Sequence, residues 1–126
     1  MIKTKEEVDI ENRALKRKVL LEMELKKIVE ALIAKYKPGK IFLFGSLAEG
    51  KIHEWSDIDI VIVKATNKRF MDRLKEVALM CDYSVGVNFF VYTPEEILEA
   101  INEGNYFIKN EVLRKGKLLY EGSQSG

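Results

Sequence analysis

Asp57 and Asp59 stand one residue apart at the head of an apolar run, Asp57-Ile58-Asp59-Ile60-Val61-Ile62-Val63. In an extended strand residues i and i+2 share a face, so the two carboxylates are predicted to point the same way. Side by side they repel unless a cation or a shared proton stands between them. An unpaired aspartate is costly to bury among Ile and Val, so a cation is the expected partner. The plainer alternatives are Asp57 capping a turn and Asp59 held in a salt bridge. Upstream, Phe42-Leu43-Phe44 runs into Gly45-Ser46. Taken alone, that is an ordinary strand-to-helix turn. Beside two carboxylates it gains a second reading, in which the amides after Gly45 and the Ser46 hydroxyl receive phosphate while Gly45 lets the backbone come close. The combination points to a divalent metal and a nucleotide.

The elements that must hold these residues follow from periodicity. From about Lys5 to Tyr36 the chain lacks Gly and Pro and is rich in helix formers. Leu21, Leu25, Ile28, Leu32 and Tyr36 form an apolar stripe, with Val8, Leu15 and Val19 a weaker extension. The first dozen residues read as helix, frayed arm or oligomer contact. Glu22 and Lys26 make an i,i+4 pair. Pro38 ends the helix, since the residue before a proline is pushed out of the α region. Lys40–Phe44 is then a strand, Gly45–Ala48 a short helix released by Gly50, and 51–55 a loop. A buried strand follows, opening on the two aspartates. Thr66 or Asn67 caps a helix bearing Phe70, Leu74, Val77 and Met80 or Cys81. Ser84–Tyr92 is a third strand with Val85, Val87, Phe89 and Val91 on one face and Gly86, Asn88, Phe90 and Tyr92 on the other. Thr93-Pro94-Glu95-Glu96 is a capping box that starts a helix running to Asn102 and ending at Glu103-Gly104. Tyr106–Arg114 is a last short helix and Lys117–Tyr120 a closing strand. The alternation predicts α/β (α+β) architecture: a small mixed sheet flanked by helices, with a long N-terminal helix. Residues 1–122 make one domain, and 123–126 form a polar tail expected to be disordered.

Composition removes several classes. A length of 126 residues supports one core rather than two. A net charge of +1 gives no global case for nucleic acid or an anionic membrane. The single cysteine, Cys81, forbids an internal disulfide, and with one distant histidine it makes no zinc site. The N-terminus lacks a signal-peptide core, and no apolar run approaches the ~18 residues of a membrane span. The expectation is a cytoplasmic protein.

Gly45-Ser46-Leu47-Ala48-Glu49-Gly50 followed by Ser56-Asp57-Ile58-Asp59 resembles the G-S-x-A-x-G…S-D-x-D signature of the polymerase-β-like nucleotidyltransferases. The resemblance is closest to their minimal (MNT) domains. Val91-Tyr92-Thr93-Pro94-Glu95-Glu96 and Glu111 through Glu121 also look like that branch, so the likeness covers nearly the whole chain. It implies the nucleotidyltransferase fold, with Asp57 and Asp59 as catalytic metal ligands for one or two Mg²⁺ and Gly45, Ser46 and Ser56 as nucleotide-binding residues. ATP or another NTP is the implied donor. The resemblance further implies an antitoxin-type module with a helical HEPN protein partner, whose hydroxyl receives AMP. A homodimer or another chain would complete the acceptor pocket, which 126 residues leave no room to build. A small-molecule acceptor such as an aminoglycoside is a further reading.

The chain departs from the family pattern twice. Glu49 stands where the family often has arginine. Asn88 occupies the position of the third catalytic carboxylate, and an amide can ligate Mg²⁺ but carries no charge and accepts no proton. Losing general-base help typically costs ~10²–10⁴-fold in rate. Asp82 lies roughly 20 Å back along an extended strand, out of reach; Glu95 or Glu96 could swing in. The alternative function is therefore a catalytically degenerate, partner-binding domain. Among other residues, His53 reads as a surface group and Trp55 as a half-buried loop anchor. Lys68, Arg69, Arg73 and Lys75 read as a solvated helix face. Lys109, Arg114, Lys115 and Lys117 form a basic cluster that could lie near the phosphates.

Overall fold

A four-stranded mixed sheet, β1 (Lys40–Phe44), β2 (Ile58–Val63), β3 (Val87–Tyr92) and β4 (Lys117–Glu121), has the spatial order β3-β2-β1-β4. In this computed structural model, which describes residues 2–122, β2 runs parallel to β3 and antiparallel to β1, and β4 pairs antiparallel with β1 at the far edge. The expected disordered tail, 123–126, lies outside the described residues. The helices are α1 (Lys5–Lys35), α2 (Gly45–Glu49), α3 (Phe70–Met80), α4 (Pro94–Asn102) and α5 (Phe107–Arg114). Among the described residues no helix is long and apolar enough to cross a membrane.

Alternation along the strands sorts the core into two layers. Ile41, Leu43, Ile58, Ile60, Ile62 and Val91 face α1 and α3, meeting Leu21, Ile28, Leu32 and Val77. Phe42, Phe44, Val61, Phe90 and Tyr92 face the other way, against Ile97 and Ile101 of α4 and Ile108 and Val112 of α5. Asp59 and Asn88 belong to this second face by register, because Phe44, Asp59 and Asn88 are paired in one row across β1, β2 and β3. The row lies where β1 ends and α2 begins, and the side chains beneath it are Phe42, Val61 and Phe90. Among these, Phe44, Phe90 and Phe107 form an aromatic triad with centroids 5.1–5.8 Å apart.

Most predicted elements are present, with local differences. Helix α1 is continuous from Lys5, with Thr4 as its side-chain cap, and Val8, Leu15 and Val19 are exposed on its outer surface. Glu24, not Glu22, carries the intrahelical ion pair, with Lys27 at 2.8 Å. Strand β2 begins at Ile58, which leaves Asp57 in the preceding loop. Strand β3 begins at Val87 rather than Ser84, because the Ser84 N–H and hydroxyl both donate to Glu24 and so are withdrawn from the ladder. The N-cap of α3 is Arg69, whereas Thr66 accepts from Lys68 N in a tighter turn upstream. The Thr93–Glu96 capping box forms as expected. Segment α5 is wound as a π-helix, with Lys115 N donating to Asn110 O, a widening the sequence does not announce. Arg73 is not on a solvated face: it is buried, donating to Lys68 O, Val91 O and the Glu96 carboxylate at 2.7 Å. Trp55 anchors nothing, being 76% exposed.

Candidate active site

Gly45 ends β1 in the left-handed region, at φ +77°, a conformation that strains any residue with a Cβ. Its Cα also lies directly against the Asp59 carboxylate. A Cβ placed there would fall 2.2 Å from Asp59 Oδ2. Asp57 has a matching neighbour, since a Cβ on Gly86 would fall 2.4 Å from its Oδ1. The two acids therefore rest on two glycines, one closing β1 and one leading into β3. The corner that ends the first strand meets Asp59 of the second, and Asp57, in the loop before it, lies close enough for its charge to act on Asp59.

The surroundings of the two carboxylates differ. Asp59 is half-buried, and its pKa is raised, first by desolvation and further by the charge of Asp57, against a hydrogen bond from Asn88 that lowers it. That bond runs from Asn88 Nδ2 to Asp59 Oδ1 at 2.8 Å. Asp57 is more open, its side chain 47% exposed, and its Oδ1 lies 3.7 Å from an Arg17 nitrogen. Arg17 is mainly engaged elsewhere, with Nε donating to Ser56 O at 2.8 Å. The long contact to Asp57 is thus an electrostatic neighbour rather than a closed ion pair, and the carboxylate keeps its accessible face.

Ser56 is buried, and its hydroxyl accepts from His53 N at 2.9 Å, which closes the 53–56 turn. It fixes the turn that leads into Asp57. Ser46 is partly exposed, and its carbonyl accepts from Lys51 N as α2 ends at the left-handed Gly50. Glu49 reaches Lys51 at 3.8 Å. In the basic cluster, Lys117 lies opposite Leu43 and so at the Gly45 end of the sheet, while Lys115 pairs with Glu111 and Arg114 donates to Asn110. Neither Glu96 nor Asp82 completes a carboxylate triad. Glu96 is committed to Arg73 and to the Thr93 cap, and Asp82 is exposed in the segment between α3 and the start of β3. Among the described residues no group of three or more His, Cys, Asp or Glu is placed to hold a metal.

Sequence reasoning missed Arg17 and its neighbour Arg13, which pairs with Glu54 at 2.9 Å. Their spacing held the signal: Arg13, Arg17, Leu21, Glu24 and Ile28 step by threes and fours along the inner face of α1. These charges mark the face of α1 that contacts the 54–57 loop, through Glu54, Ser56 O and Asp57.

Two acids on glycine supports, one desolvated beside the other, form an oxygen donor set suited to a hard divalent ion such as Mg²⁺. At Gly45 the space a side chain would take is filled by the Asp59 carboxylate itself, which brings that acid up against the backbone where β1 passes into α2. A groove of about 670 Å³ lies elsewhere, at the opposite strand ends, lined by Lys40, Phe42, Val63, Ile97, Ile101 and Leu113, and it holds no acidic pair.

Comparison with known proteins agrees with this geometry. Residues 26–125 match the family "Polymerase beta, Nucleotidyltransferase". A "Putative protein adenylyltransferase" of Methanocaldococcus jannaschii is 37% identical over 101 residues, covering 79% of this chain and 97% of that protein. The crystal structure of a "putative nucleotidyltransferase" from Sulfolobus solfataricus superposes with a TM-score of 0.63 at 20% identity, over 86% of this chain and 87% of that one. At that identity the likeness is one of fold.

Proposed function

The chain belongs to the polymerase beta nucleotidyltransferase family, and from that premise we propose that it transfers a nucleoside monophosphate, AMP, from the NTP to a hydroxyl of a partner protein. The observation that carries the reading is the meeting of Asp59 with Gly45, beside Asp57. The protein-adenylylating name of the M. jannaschii relative supports a protein as acceptor. A helical HEPN-type partner of an antitoxin module in the cytoplasm is the partner class this reading takes from the likeness to minimal domains.

Asp57 and Asp59 would hold Mg²⁺, which would supply charge neutralisation at the phosphates. The chain's own groups do the rest. The amides after Gly45 and the Ser46 hydroxyl receive the triphosphate tail. The Ser56 turn and Arg17 fix the Asp57 backbone, so that the carboxylates meet the nucleotide already oriented. The acceptor oxygen bonds to the α-phosphorus, the α–β phosphoanhydride bond breaks, pyrophosphate leaves with the bonding electrons, and the hydroxyl proton passes to solvent.

A second reading has its own observation. Asn88 donates to Asp59, so the group at the third position is a hydrogen-bond donor and not a base. On this reading the domain binds nucleotide and partner without transfer. The test is incubation with Mg²⁺, ATP labelled at the α-phosphate, and the protein encoded by the neighbouring gene. Transfer is expected to put label on the partner, lost in Asp57→Ala and Asp59→Ala and raised toward ~10²-fold in Asn88→Asp. Nucleotide binding without label in the parent, with label in Asn88→Asp, selects the second reading. No nucleotide binding at all overturns both.

A further inference from the structure

Building on that magnesium-nucleotide reading, we infer that the site takes a single divalent cation, because the Asn88 amide already makes the link between β2 and β3 that a second ion would otherwise make. Asp59 and Asn88 are register partners on adjacent parallel strands, with side chains on one face. An ionised carboxylate only accepts hydrogen bonds. The amide must therefore turn its nitrogen to Asp59, and the 2.8 Å contact is of that kind. The amide carbonyl then faces away from Asp59, and the gap between the two side chains is closed by a hydrogen. Two carboxylates at this register position would repel and need a cation between them; a carboxylate and an amide do not.

The fixed charge agrees. Asp57 and Asp59 bring two negative charges, and Arg17, 3.7 Å from Asp57, returns one positive. Paired catalytic ions sit ~3.5–4 Å apart and are held there by shared anionic ligands. Two divalent ions at that distance repel four times as strongly as two unit charges. Here the second ion would have to displace the Asn88 N–H from Asp59 or rely on a neutral amide oxygen, with no third acidic group among the described residues to offset it. One cation fits the donor set, and it enters with the nucleotide phosphates. The acceptor hydroxyl is then left without an ion of its own.

The measurement is equilibrium dialysis of the full chain against Mn²⁺ and a non-hydrolysable ATP analogue, counting bound Mn²⁺ per bound nucleotide. One is expected for the parent and two for Asn88→Asp. Two in the parent overturns the inference, and one in a folded Asn88→Asp overturns the role given to Asn88. Should the variant not fold, the Mn²⁺ spin-resonance spectrum of the parent complex decides: an isolated ion supports the inference and a spin-coupled pair ends it. Failure to bind nucleotide sinks the underlying reading and this inference with it. A two-ion count leaves the reading standing and removes only the inference.

Discussion

Glu24 and Asp59 are both acids set into the protein body, and the chain treats them in opposite ways. Glu24, on the inner face of α1, accepts from Lys27, from Ser84 N and from the Ser84 hydroxyl. Those bonds, the one from Lys27 foremost, bring its pKa from 4.5 down to about 2. Asp59 receives one side-chain bond, from Asn88, and desolvation pushes its pKa up. Glu96 is of the Glu24 kind: burial works against its charge, but Arg73 and the Thr93 cap outweigh this and lower its pKa. A carboxylate whose lone pairs the chain fills is structural. One that is desolvated, backed by glycine and left short of donors is shaped for something outside the chain.

The comparison breaks most sharply if the open acid is closed. Gly45→Ala puts a methyl where Asp59 Oδ2 now lies and forces a left-handed alanine. The backbone strain is worth ~1–2 kcal/mol, a tolerable loss for a folded domain. The site loses more: nucleotide-metal affinity is expected to fall at least ~10–100-fold, the range seen when groups that orient metal ligands are removed. Calorimetric titration with Mg²⁺ and a non-hydrolysable ATP analogue, beside a thermal melt, checks it. Full affinity in Gly45→Ala would mean that Asp59 is not a ligand.

A smaller effect, in stability alone, sharpens the contrast through pH. A lowered acid pKa stabilises the fold above the unfolded value and loses that contribution as pH falls through the folded one. For Glu24 the window is about pH 4.5 down to about 2. A raised acid pKa has the opposite sign: Asp59 disfavours the fold while ionised and is relieved as pH drops through its raised value toward 3.8. In metal-free buffer, Glu24→Gln is therefore expected to melt a few degrees below the parent at neutral pH, with a flatter acid limb. Asp59→Asn is expected to melt at or above the parent, with the difference fading in acid. Melts from pH 2 to 7 read both. If the two variants shift in the same direction, the distinction fails.

How much of this was legible in the sequence follows from what each signal depends on. The strands and α4 were written locally, in the alternation of Ile58, Ile60 and Ile62 and in the Thr93–Glu96 capping box. The Gly45–Asp59 meeting was legible only as a spacing, since it depends on β1 and β2 pairing so that Phe44 faces Asp59. The partners of charged residues were not legible. Arg73 looked solvated because its acceptors, Val91 O and Glu96, lie 18 and 23 residues away. Glu24 shortened β3 from 60 residues away. Spacing with apolar residues can mark a charged residue as inward-facing, as it does for Arg17, but it does not name the distant group that the residue will meet.

The smallest expected effect lies in the loop that presents Asp57. An aromatic in a polar loop suggests an anchor, and Trp55 is the one tryptophan, but at 76% exposure it has almost nothing to lose. The loop is held instead by polar groups around it, with Arg13 on Glu54, Arg17 on Ser56 O, and the Ser56 hydroxyl accepting from His53 N. Trp55→Ala is accordingly expected to change the unfolding free energy by no more than ~0.5 kcal/mol, the range of surface substitutions away from special features. Denaturant melts followed by circular dichroism measure it, since fluorescence is lost with the residue. A cost of ~2 kcal/mol or more would mean that the ring is buried in solution and that the loop owes its shape to packing. The loop that presents Asp57 would then be held by the ring and not by the arginines of α1.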